Sequence, residues 1–165
     1  METKLKFSQF QTLLAGALKR AGEDSTAPAA GGPDEMPPLI LAYIGDAWFS
    51  LYIRTELLRY EWRQVRVLHA LETKAVCATM QARVLRQLEP MLTAAESAIV
   101  RRGRNAKSRV PKSASVQDYH SSTGFESLLG YLFLNQQRQR LDELAAAALS
   151  IITREITVNT QAKEK

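Results

Sequence analysis

From Leu39 to Arg54 the chain reads Leu-Ile-Leu-Ala-Tyr-Ile-Gly-Asp-Ala-Trp-Phe-Ser-Leu-Tyr-Ile-Arg, and the reading of this stretch decides the fold. As a helix it places Ile40, Ile44, Ala47 and Leu51 on one side and Tyr43, Trp48, Phe49, Tyr52 and Ile53 over most of the rest, so little of it faces water. Asp46 is its only acid. An ionised carboxylate on an apolar helix is costly unless a cation, a basic side chain or a hydrogen-bond cluster compensates it. Taken alone, the stretch favours a structurally satisfied aspartate.

A second stretch shifts that balance. Ser121 to Leu134 reads Ser-Ser-Thr-Gly-Phe-Glu-Ser-Leu-Leu-Gly-Tyr-Leu-Phe-Leu, another nearly all-apolar helix, with the single acid Glu126 near its start. Two buried helices with one carboxylate each suggest one metal site between them, and carboxylate oxygens on opposed rigid helices suit a hard, hydrated cation such as Mg²⁺ or Mn²⁺. The competing reading is local: Thr123-x-x-Glu126 has the spacing of a capping box, in which the glutamate returns a hydrogen bond to the cap.

These residues resemble a known family. Tyr43-Ile44-Gly45-Asp46-Ala47 is similar to the helix that marks ribonuclease III nuclease domains, and Thr123-Gly124-Phe125-Glu126 with Gly130 is similar to their second acidic helix. With Arg101-Arg102-Gly103-Arg104-Asn105-Ala106-Lys107 between them, the set most resembles Mini-ribonuclease III, the short members without a double-stranded RNA-binding domain. The resemblance covers about residues 38 to 150. It implies an all-α endonuclease domain that cuts double-stranded RNA, with Asp46 and Glu126 as catalytic and metal-holding residues, Mg²⁺ as cofactor and Mn²⁺ as a possible substitute. It further implies products with 5′-phosphate and 3′-hydroxyl ends and precursor large-subunit (23S) ribosomal RNA as substrate, with ribosomal proteins on that RNA as possible partners. Larger relatives carry a Glu one helical turn before the first acid and an Asp three residues before the second; Ala42 and Thr123 stand there in this chain, so coordination must lean on water, phosphate or backbone oxygens.

Composition bounds the answer less tightly. A chain of 165 residues has room for one well-buried core, and its 45% hydrophobic content is enough to fold it. The net charge of +5 favours a polyanionic partner without choosing one. Cys77 is the sole cysteine, which excludes an internal disulfide and suggests a buried, inert thiol. Without a secretory h-region or a run of apolar residues long enough to span a bilayer, the expectation is a soluble cytoplasmic protein that makes no use of a membrane.

In chain order, residues 1–20 hold an amphipathic helix with Phe7, Phe10, Leu13, Leu14, Ala17 and Leu18 at helical spacing, suited to docking on the core or on a partner subunit. Residues 21–38 are rich in Gly, Pro and Ala and read as a flexible linker. This N-terminal region extends beyond the family pattern, so no family role passes to it. The catalytic domain is then expected over 39–156 and a polar, fraying tail over 157–165. Inside the domain, Arg59 to Arg66 is a connection, one long helix is expected from about Val67 to Leu88 with Pro90 as its stop, and Gln139 to Ile156 closes the fold. Thr93-x-x-Glu96 should open a short helix ending near Gly103. His69 and His120 are too isolated for metal or nucleophile chemistry.

Between Arg101 and Lys112 lie Arg101, Arg102, Arg104, Lys107, Arg109 and Lys112, with Asn105 among them and no acid. Arg101 and Arg102 complement the C-terminal dipole of the preceding helix. The remaining cations sit in a polar loop that suits phosphate contacts, and the resemblance agrees in placing RNA there. The alternative to an endoribonuclease is a non-catalytic RNA-binding or ribosome-assembly protein on the same fold; a DNA-binding domain would need a base-reading helix, and none is identifiable. Finally, the apolar girdle around the Asp46 helix exceeds what one small domain needs, which predicts a homodimer joined there, supplying two sites for two strands.

Overall fold

The structure, a computed structural model, describes residues 7–22, 31–108, 110, 112 and 114–161. The chain divides into two compact units, Met1–Gly32 and Pro33–Lys165. In the first, α1 (Phe7–Gly22) realises the amphipathic pattern, with Phe10, Leu13, Leu14 and Leu18 exposed along it.

The second unit consists of α2 (Pro38–Leu57), α3 (Val65–Val76), α4 (Ala78–Leu88), a 3-10 turn at Glu89–Met91, α5 (Ala94–Arg104), α6 (Val116–Leu134) and α7 (Arg138–Gln161), with no strand among the described residues. The all-α expectation holds. Helix α6 is the centre, and α2, α4, α5 and α7 all pack on it. Its sequence allows this because it is apolar or small around its circumference: Ser121 to Phe125, Ser127 to Gly130 and Leu132 are all buried. Around it the core gathers Phe49 and Ile53 from α2, Leu85 and Leu88 from α4, Val100 from α5, and Leu141, Leu144 and Ile152 from α7. The Phe49 ring meets Phe125 edge-on at 5.1 Å between centroids, a favoured aromatic geometry.

The crossing of α2 and α6 depends on two glycines. A Cβ at Gly45 would run into the carbonyl of Glu126, and one at Gly130 into the carbonyl of Leu41. Only a residue without a side chain lets the two backbones meet there. Gly103 and Gly124 do the same at the crossing of α5 and α6, where a Cβ on Gly103 would come 2.7 Å from the Cα of Gly124.

Several local expectations change. The apolar stripe assigned to α2 is not the buried one: Leu41, Ala42, Gly45, Phe49 and Ile53 are buried, whereas Ile40, Tyr43, Ala47 and Leu51 are exposed. The glycine contact turns the helix that way. Helix α6 begins at Val116, capped by the Ser115 hydroxyl, which accepts from the Asp118 amide at 3.1 Å. Thr123 and Glu126 therefore lie mid-helix and form no capping box. At Thr93 and Glu96 both reciprocal hydrogen bonds are present, as the spacing predicts. The long helix expected over 67–88 is two, because Cys77 takes an extended conformation (φ −67°, ψ 151°) between α3 and α4. Its thiol is exposed rather than buried. The tail expected from Thr157 is helical to Gln161 as part of α7.

Candidate active site

The Gly45 contact sets the register of α2 on α6, and Asp46, the next residue, consequently arrives beside Glu126. The two acids share one cavity of about 330 Å³ lined also by Leu39, Ala42, Tyr43, Ala78, Ser122 and Thr123. The crossing is pinned locally: the Ser127 hydroxyl lies 2.9 Å from the Pro38 carbonyl at the start of α2 and 2.7 Å from the Thr123 carbonyl.

Electrostatically the pair is uncompensated. Burial pushes the Glu126 carboxyl up to about 8, the neighbouring Asp46 charge adds to the rise, and the amide of Gln81 opposes it. Asp46 stands more open, yet burial of its cavity side also raises its carboxyl above the ordinary range. Among the described residues neither acid has a basic side chain in an ion pair, although Arg54, Arg83, Arg102, Arg104 and Arg140 all find partners elsewhere.

A divalent cation fits this donor set. Two carboxylates whose pKa is raised by burial, Glu126 further by the Asp46 charge, with Ser122 and Thr123 lining the same cavity, are hard oxygen donors lacking positive charge. No third histidine, cysteine or acid joins them among the described residues, so such an ion keeps much of its water. Thr123 and Ala42 line the cavity beside the two acids.

The basic segment is divided in its duties. Arg101, Arg102 and Arg104 lie on the last turn of α5, and Asn105 caps its C-terminus. Arg102 donates from Nη1 to the Asp34 carbonyl at 2.9 Å and from Nη2 to the Met36 carbonyl at 2.8 Å, holding the approach to α2. Tyr131 of α6 meets the same turn through Asp34 at 2.8 Å. Arg104 pairs with Glu89 at 2.8 Å. Arg101, Asn105, Lys107 and Lys112 are exposed, and Arg109 lies outside the described residues. The bracing roles of Arg102 and Arg104 are invisible in sequence because their partners lie far away in the chain. The two histidines stay out of the site: His69 sits 3.5 Å from Glu72 on α3, and His120 is not on the cavity wall.

Comparison with known proteins identifies the chain's relatives. Residues 39–137 match the ribonuclease III domain family. A Mini-ribonuclease 3 from Symbiobacterium thermophilum is 47% identical over 123 residues, 74% of this chain and 95% of that protein. A Mini-ribonuclease 3 from Enterococcus faecalis is 46% identical over 109 residues, 64% of this chain and 83% of that protein. A solved crystal structure of a Fusobacterium nucleatum protein superposes with a TM-score of 0.65 over 70% of this chain and 93% of that one, at 23% identity, and so speaks to the fold alone. The all-α helix order and the extent of these matches lead to one conclusion: the chain belongs to the ribonuclease III family, in its Mini-ribonuclease 3 branch.

Proposed function

We propose that this endoribonuclease cuts both strands of a duplex RNA as a homodimer, with Asp46 and Glu126 of each subunit holding a divalent ion, Mg²⁺ or in its place Mn²⁺. Its family acts on double-stranded RNA and generally requires a divalent metal. The observation that carries the residue assignment is the shared cavity: two desolvated carboxylates from opposed helices, adjacent in space and without a basic partner among the described residues. When bound, the ion supplies the charge that activates water and stabilises the phosphate during in-line attack. The chain's own part is to fix both carboxylates on rigid helices and to present an open cavity to a backbone phosphate.

The exposed face of α2 supports the dimer. Ile40 (51% exposed), Tyr43 (74%), Leu51 (63%) and Leu58 (53%), with Ala47, fall on one side of the helix and border Asp46. An apolar band of this kind on a small domain marks a subunit interface. A two-fold axis there gives one site per strand. Arg101, Asn105, Lys107, Arg109 and Lys112 are assigned to phosphate contacts, with Arg102 and Arg104 adding charge while they brace the segment. Precursor 23S ribosomal RNA is the proposed substrate, in the cytoplasm, alone or with ribosomal proteins attached. No helix among the described residues is long and apolar enough to cross a membrane.

The test is cleavage of a structured RNA by the purified protein with Mg²⁺ and with EDTA, alongside light scattering. Metal-dependent cuts of both strands by a particle of twice the chain mass are expected. Intact RNA retained by the protein under both conditions would favour the non-catalytic binder, and a single-chain mass with full double-strand cleavage would remove the two-site dimer.

A further inference from the structure

Gln81 on α4 is 1% exposed, and neither its Nε2 nor its Oε1 has a hydrogen-bond partner within the protein. Leaving a buried polar group unsatisfied costs stability that good packing does not return. The helix around it is regular, the Gln81 amide nitrogen donating to the Cys77 carbonyl at 3.0 Å, so backbone strain does not account for the orphan. The other buried residues of α4, Met80, Ala82, Val84, Leu85 and Leu88, are all apolar. An apolar side chain would serve packing better. What the amide does face is the carboxyl of Glu126, near enough to act on it although no hydrogen bond of good geometry is completed.

We propose that Gln81 is a positioning residue for Glu126: in the ion-loaded site its Nε2 donates to the carboxylate, fixing the rotamer that turns Glu126 toward Asp46. Oε1 is then left to accept from water that accompanies the cation. The amide suits this place for a chemical reason. A neutral donor supports an anion without competing with the cation for it, as a lysine or arginine at the same position would. The inference rests on the assignment of Asp46 and Glu126 as the ion-holding pair.

Gln81→Met separates this role from a structural one, because it keeps the shape and removes only the polar atoms. Binding of Mn²⁺ to the RNA-free protein, followed by the spin-resonance signal of the free ion, should weaken by about 10-fold or more, the loss typical of groups that orient metal ligands. The metal-free melting temperature should hold or rise, since two unsatisfied buried atoms are gone. With duplex RNA, kcat should fall while KM stays near the parent value. Gln81→Leu serves as a second apolar replacement and should behave alike. Mn²⁺ affinity equal to the parent's in the folded Gln81→Met or Gln81→Leu protein would overturn the role of Gln81 alone. Failure of the parent protein itself to bind Mn²⁺, or binding unaffected by Asp46→Asn, would overturn the ion-holding pair and this inference with it.

Discussion

The crossing of α2 and α6 and the basic end of α5 both carry family motifs, but they are built on opposite principles. At the crossing, glycine brings backbone onto backbone, and two carboxylates are held together at a cost that burial makes visible in the raised Glu126 pKa. At the end of α5, positive charge is spread along one helical turn and onto the exposed Lys107 and Lys112, and part of it is already committed to carbonyls and to Glu89. The first region is preorganised for one geometry. The second is a general electrostatic surface whose inner members also hold the fold. Chemistry demands fixed oxygens, whereas gripping a phosphate backbone tolerates many arrangements.

The sharpest way to break this contrast is at the acids. Asp46→Asn and Glu126→Gln should each abolish cleavage of duplex RNA while the circular dichroism spectrum stays helical. Undiminished turnover in either folded variant would end the catalytic assignment. Next in size is the crossing itself. Gly45→Ala or Gly130→Ala inserts a methyl group where a carbonyl already sits, so destabilisation at the upper end of the about 1–3 kcal/mol usual for overpacking, or beyond it, is expected with loss of activity. A denaturant midpoint unchanged in both variants would show that the helices can part without consequence.

The pH dependence sharpens the same point. In the folded, metal-free protein Glu126 holds its proton up to about pH 8, against 4.5 for the ordinary group, so the folded state binds more protons than the unfolded chain between those values. Stability should therefore be greatest below that window and fall as pH rises through it, and saturating Mg²⁺ should restore it at the alkaline end. Glu126→Gln should flatten the slope; thermal melts in EDTA that keep the parent's full slope in that variant would assign the effect elsewhere.

Smaller effects divide the basic segment. Arg102→Ala removes two hydrogen bonds to the turn before α2 and should lower stability by about 1–3 kcal/mol. Arg101→Ala and Lys107→Ala should leave melting unchanged, weaken duplex RNA binding regardless of sequence, and reduce the log-log salt slope by about one unit for each lost contact. Equal melting losses at Arg102 and Arg101, or a salt slope indifferent to Arg101 and Lys107, would erase the division drawn between bracing and gripping cations.

What the sequence by itself determined was class and chemistry: an all-helical domain, a lone acid within each of the apolar stretches 39–54 and 121–134, the Thr93 capping box, and the matched order of motifs around a basic segment. These are local or periodic signals, and each survives folding because it depends on neighbours a few residues away. Only the tertiary structure decided which face of α2 is buried, since a helix apolar around most of its circumference carries no direction in its periodicity, and the contact of Gly45 with Glu126 supplied one. The break at Cys77 has no glycine or proline to announce it, and the mid-helix position of Thr123 follows from the Ser115 cap that opens α6 two turns earlier. Gln81 stood in an ordinary amphipathic pattern, and its importance appears only when α4 carries it, buried and unpaired, against the carboxylate of another helix.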